Sequence, residues 1–210
     1  MLQIDHFTLG ASDLLQGRAD FQKLTGLTLP MGGKHPHMST HNCLTSVGHR
    51  QFFELIAIDK QAPHPGRTRW FSLDEARTRS RLSKRPRALC WVVETNDIET
   101  LVANSPVDLG DIITLTRDGR SWRLTVPKEG HLPEQGLLPA FIEWSPGPHP
   151  STVQDDIGLR LEEVILHHPD PKWLTDVMTR LGVAHLARIE TGEKSLAFQV
   201  MTPGGRLILD

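Results

Sequence analysis

Two cysteines in 210 residues are too few for a disulfide framework. Cys43 and Cys90 could form one bridge at most, and reduced thiols in a cytoplasmic setting are the simpler expectation. Long apolar runs are missing as well. Leu89–Val93 is among the longest, far short of the roughly 18 residues a membrane span needs. The opening MLQIDHFTLG has no basic segment ahead of an apolar one, so no signal peptide is expected. Nor is there an excess of one charge: the formal net charge is −2. Nucleic acid and anionic membrane are therefore not expected as partners, because each needs a basic face. Lys and Arg gather in Arg77–Arg87, but acidic residues elsewhere balance them, and the run reads as a solvated helix and linker. Walker, Rossmann, zinc-finger and G-x-S-x-G patterns do not occur.

What is present suits a globular chain. Hydrophobic residues make up 38% and charged residues 23%, enough to build a core and too apolar for disorder. One pattern occurs three times. His6 to Asp13, Cys90 to Asp97 and Glu163 to Asp170 are each a β-rich run ending in an aspartate suited to an N-cap. Helical spacing follows in the first and third copies. Leu14, Phe21 and Leu24 lead to Gly26; Trp173, Leu174, Val177 and Leu181 lead to Gly182, with Pro171 at the first helical position. In the second copy Ile98, Leu101 and Val102 begin a helix that Pro106 cuts short.

Strand-like runs come next in each copy. The first has Asn42–Val47 and Gln51–Ile58. The second has Ile112–Arg117 and Arg120–Val126 around the hairpin dipeptide Asp118-Gly119, then Leu137–Trp144. The third has Ala184–Ile189, Lys194–Met201 and Arg206–Leu209. The expectation is an α+β chain of βαβββ modules: residues 1–60, a linker with a helical insertion over 61–86 (its helix at Trp70–Leu82), a second module over 87–150, and a degenerate third over 151–210. Pro- and Gly-bearing stretches, Ala62–Gly66 and Ser145–Pro150, mark the boundaries. His64 and His149 fall in those stretches and read as linker residues.

IDHFTLGASD, then GGKHPHMSTHNCL, then QFFELIAID resembles the opening of the glyoxalase-like domain family of the vicinal-oxygen-chelate superfamily. The resemblance implies curled mixed sheets around a cup. In metal-dependent members the first and last strand of each paired module carry a ligand. Carried over, those positions are His6, Glu54, Cys90 and Glu143, with Cys90 standing where His, Gln or Glu is usual. The implied cofactor is a divalent ion such as Zn, Fe, Mn or Ni, although some members bind their ligand without metal. The family's loop of the form GGxHxxxGTxN corresponds to Gly32–Asn42, with Ser39 in place of the usual glycine. It implies His35, Thr40 and Asn42 as ligand-contacting residues.

Strand alternation can be applied to the same positions. It sends Phe7 and Leu9 to one face and His6 and Thr8 to the other. Phe53, Leu55 and Ala57 oppose Phe52, Glu54 and Ile56. Trp91 and Val93 oppose Cys90 and Val92, and Glu143 shares its face with Phe141. A carboxylate between Phe52 and Ile56 needs a cation, an imidazole, water or a proton. The quartet is therefore either a metal site or a hydrogen-bonded network lining a pocket. His35, His37 and His41 could alternatively hold a metal by themselves.

Three functions remain open from the sequence. One is a metal-dependent lyase or isomerase acting on a small carbonyl or vicinal-oxygen compound, with Glu54 or Glu143 as base. Another is a metal-free module binding a small ligand against Phe52 and Phe141. The last is an interaction or regulatory protein whose third module makes a homodimer face or replaces a missing partner module; that module must cap the cup, pair in trans or pack on an edge.

Overall fold

The computed structural model describes residues 2–117 and 119–210. It opens with strand β1 (Gln3–Gly10), helix α1 (Leu14–Thr25), and strands β2 (Met31–His35), β3 (Thr40–Gly48) and β4 (Gln51–Ile58). Helix α2 (Ala76–Leu82) lies in the connection to β5 (Arg87–Glu94), α3 (Ile98–Ala103), β6 (Asp111–Arg117), β7 (Arg120–Val126) and β8 (Ala140–Trp144). The C-terminal part is β9 (Arg160–His168), α4 (Pro171–Arg180), β10 (Ala187–Thr191), β11 (Ser195–Thr202) and β12 (Gly205–Leu209).

The aspartates cap as their positions predict. Asp13 accepts from the Gln16 amide, Asp97 from Thr100 and Asp170 from Trp173. Gly26 closes α1 with φ 74°, a left-handed conformation that costs glycine nothing. Of the dipeptide Asp118-Gly119, Asp118 lies outside the described residues, and Gly119 sits in the β6–β7 turn with φ 76°.

Eight strands form one curled mixed sheet in the order β2-β3-β4-β1-β5-β8-β7-β6. Within each half the first and last strands are parallel, β1 with β4 and β5 with β8. The halves meet along an antiparallel β1–β5 seam. Convex-side residues Phe7, Phe53, Leu55, Trp91 and Val93 enter the larger core, and Phe21 of α1 stacks on Phe53 at 5.1 Å. The concave side forms a second cluster that includes Ile56, Cys90, Val92, Leu124 and Ile142.

The third copy keeps the order of elements and rearranges its strands. Its sheet runs β10-β9-β11-β12, so the strand after the helix, rather than the last one, lies parallel to the first. Its position also differs from both intramolecular placements raised from the sequence. It neither caps the cup nor extends an edge. It covers the back of the seam, where Phe198 meets Phe7 at 5.0 Å and Val164, Leu166 and Val200 join the same core. The convex face of the seam is apolar, and since α1 packs mainly on β4 and β3 and α3 on β8, the third unit supplies the cover over its centre.

The linker differs too. Helix begins only at Ala76, and Trp70 and Phe71 instead form a buried turn whose stacked rings (5.0 Å apart) enter the concave cluster. Phe71 and Ser72 have φ of 59° and 56°, left-handed values that break any helix there. Among the described residues no helix is long and apolar enough to cross a membrane.

Candidate functional site

A small pocket of about 50 Å³ opens on the concave face. Its apolar walls are Phe52, Trp70, Phe71, Trp122, Leu124, Ile142 and Trp144. Its polar lining includes His6, His35, Asn42, Glu54 and Arg117. Alternation along β1 and β4 puts His6 and Glu54 here. In the parallel β1–β4 register Thr8 stands beside Glu54, and its hydroxyl donates to Glu54 Oε2 at 3.2 Å.

The other Glu54 oxygen accepts from Asn42 Nδ2 at 2.6 Å. Asn42 Oδ1 in turn accepts from the Gly33 amide at 2.9 Å. A β-carbon on Gly32 would lie 2.2 Å from that same Asn42 oxygen, so the backbone approach requires glycine. Ser39, where glycine is usual, adopts φ 49° and donates to the Pro63 carbonyl. Arg117 reaches across from the far edge strand to His35 Nε2 at 2.9 Å. A guanidinium can only donate, so Nε2 is the acceptor and Nδ1–H donates to Thr40 Oγ1 at 3.0 Å. Burial, with Arg117 adding to it against the pull of Glu54, lowers the His35 pKa to about 4. His35, Thr40 and Asn42 are thus one network with Glu54, and His35 and Asn42 themselves line the pocket.

Behind His6 lies a buried group that sequence reasoning missed, and of its two histidines only His6 lines the pocket. The β1–β5 register shifts between Ile4 and His6, and Asp5 at the irregularity is fully buried. Asp5 Oδ1 meets His6 Nδ1 at 2.5 Å, and Oδ2 accepts from Trp144 Nε1 at 2.6 Å and lies 2.9 Å from His149 Nε2. Burial alone would raise the Asp5 pKa. The bonds from His149 and His6 outweigh it and bring the carboxyl to about 2. An anionic Asp5 fixes hydrogen on His6 Nδ1. The His6 ring stacks on Phe52 at 4.4 Å, and its Nε2 has no hydrogen bond from any described residue. His149, expected to be a linker residue, is buried and bonds Ser151 through Nδ1 at 2.8 Å. Only the acid beside His6 in IDHF could have signalled this group, since a register shift leaves no mark in the sequence.

Two expected site residues lie elsewhere. Val92 pairs with Ala140 in parallel, which puts Ala140, Ile142 and Trp144 on the concave side and sends Phe141 and Glu143 to the convex one. Phe141 is part of the convex core. Glu143 accepts from the Ile98 amide at the start of α3 (2.8 Å) and from Arg123 (2.6 Å). The apolar Ala140, Phe141 and Ile142 read equally well on either face, so alternation alone could not orient this strand.

The donors that remain do not fit a divalent ion at the expected quartet. Burial and then the Glu54 charge push the Cys90 thiol above its usual range, which disfavours the thiolate in the metal-free protein. The strand β8 presents Ala140 and Ile142 instead of a fourth ligand, so the expected set is incomplete. His35, His37 and His41 do not form a ligand group either. Among the described residues one set, Asp5, Glu94 and His149, brings potential ligand atoms within 4.8 Å of one another. There the Glu94 carboxylate is already bridged by Arg50 and bonded by Gln3.

The whole chain can be superposed on known folds. A hypothetical protein from Staphylococcus aureus covers 99% of this chain and 84% of its own, with TM-score 0.62 and 15% identity. Methylmalonyl-CoA epimerase from Mycobacterium tuberculosis covers 69% of this chain and 88% of its own, with TM-score 0.43 and 14% identity. A methylmalonyl-CoA epimerase in complex with methylmalonyl-CoA covers 71% of this chain and 97% of its own, with TM-score 0.40 and 12% identity. No curated protein matches. The glyoxalase-like domain family matches residues 4–182, the span that holds both paired modules and all the residues lining the cup. With residues 4–182 matched, parallel first and last strands in each half and a cup between the halves, the chain belongs to the glyoxalase-like domain family.

Proposed function

We propose that the cup binds a small, flat, mostly apolar carbonyl compound and moves a proton on it, with His6 as the acid–base group. One observation carries this reading. The anionic, fully buried Asp5 holds His6 Nδ1 at 2.5 Å, while the same ring lines an aromatic pocket that Glu54 also lines. A neutral imidazole with Nδ1–H committed presents a basic Nε2, the arrangement a general base needs. Rings of Trp70, Phe71, Trp122 and Trp144 give the pocket apolar walls that suit a planar substrate. Arg117 at the polar side would hold a carbonyl or carboxylate oxygen. Glu54, oriented by Asn42 and Thr8, is the second group in reach of a proton.

A resident divalent ion is not part of this reading, because the donors at the quartet do not suit one and the Asp5–Glu94–His149 group is already satisfied by Arg50, His6 and Trp144. The aromatic lining also supports a second reading, a binding protein that sequesters such compounds without turnover.

The test is exchange in D₂O. Wild-type, His6→Gln and Glu54→Gln proteins are mixed with a panel of small α-CH carbonyl compounds, and loss of the α-proton NMR signal is followed with and without chelator. Exchange that survives chelation and disappears in His6→Gln supports the proposal. Exchange that chelator abolishes sinks the metal-free step. Saturable binding with no exchange for any bound compound leaves the sequestering reading.

A further inference from the structure

The Trp70–Phe71 turn has a second side. Behind it, α2, the 131–135 segment and Lys194 from the β10–β11 turn enclose a separate cavity of about 400 Å³. Arg77 and Arg81, one helical turn apart on α2, both line it. No carboxylate among the described residues pairs with either guanidinium. Like charges at this spacing repel. Both side chains are exposed, and partial burial, then the charges of Arg87 and Arg77, lower the Arg81 pKa, with Asp210 the opposing charge.

The acids at this cavity do not neutralise the pair. Glu134 is bound to Lys194 and lies 3.6 Å from His168, and Glu75 is exposed and makes no capping bond. The backbone is unusual here as well. Ser72, Glu134 and Gln135 all line the cavity, and all are left-handed, with φ of 56°, 49° and 60°. Left-handed non-glycine residues gather where a site has to be shaped. Ser72 Oγ accepts from the Leu132 amide at 2.8 Å, which leaves its own hydrogen to donate.

We propose that this cavity is a binding site for a phosphate group, with Arg77 and Arg81 as its charged ligands and the Ser72 and Thr78 hydroxyls as neutral donors. Guanidinium pairs match the several oxygens of a phosphate better than the single charge of a halide. The cavity is larger than one phosphate, so the ligand is a phosphorylated small molecule whose body lies along Leu89 and Leu132. Because the site is separate from the cup, it stands or falls independently of the proton-transfer reading.

The test is calorimetric titration of the full chain with inorganic phosphate and with glycerol phosphate, ionic strength being held constant with chloride. Wild type should bind both saturably, glycerol phosphate more tightly. The Arg77→Gln/Arg81→Gln variant should bind about tenfold more weakly or worse, and Arg79→Gln, on the same helix outside the cavity, should match wild type. Should the double variant fail to fold, Arg81→Gln alone carries the comparison. No saturable binding by wild type, or equal binding by all variants, overturns the proposal, and phosphate binding as tightly as its ester restricts the site to the free ion.

Discussion

Asp5 and His6 are neighbours in sequence on a strand, yet their side chains meet, carboxylate Oδ1 to imidazole Nδ1, at 2.5 Å. Regular alternation would send them to opposite faces. The shift in β1–β5 register at this point is what lets both serve one network. The expected consequence is a single His6 tautomer. Long-range ¹H–¹⁵N spectra should show hydrogen on Nδ1 in the wild type and a mixture in Asp5→Asn. A mixture already present in the wild type would mean that Asp5 does not orient the ring.

His35 sets a pH dependence. Its pKa falls to about 4 in the fold from 6.5, so between those values the unfolded chain binds more protons than the folded one. The stability that neutral His35 contributes is complete above pH 6.5 and is lost as pH falls towards 4. Urea midpoints measured across that window should decline more steeply for wild type than for His35→Gln. Parallel slopes would refute the assignment.

Glu143 supports α3 rather than the cup. Glu143→Ala should lower stability by about 1 kcal/mol through loss of the bond to the Ile98 amide, and should leave ligand binding in the cup unchanged. A selective loss of binding at unchanged stability would return Glu143 to the site.

The third unit closes the core. Phe198 is fully buried against Phe7, and Phe198→Ala should cost about 3–5 kcal/mol in chemical unfolding, with both sheets melting together. Two separate transitions would show that the units fold independently.

Much of this architecture is legible in the sequence because it rests on local rules. Strands β4 and β7 begin and end where alternation puts them, and Asp13, Asp97 and Asp170 cap as aspartates before helices do. The faces of His6, Glu54 and Cys90 follow from alternation with apolar neighbours. Where alternation carries no information, reading fails. Ala140, Phe141 and Ile142 are apolar on both sides, so only pairing with β5 decides that Glu143 points outward. Asp5 and His149 come together across 144 positions of chain, a contact no local pattern encodes. Met31–His35 looks like a flexible glycine loop and becomes an edge strand because β3 offers it partners.

The C-terminal sheet lies behind the β1–β5 seam, so the two central strands are backed by a packed layer on their convex face. Splaying the halves of the cup apart would have to break that packing, including the Phe7–Phe198 contact. Admission of a ligand must be left to the outer leaves, β2 and β6, where Arg117 and His35 meet across the mouth, and to the Trp70–Phe71 turn. Amide exchange should accordingly be slowest along the spine and fastest at those rims.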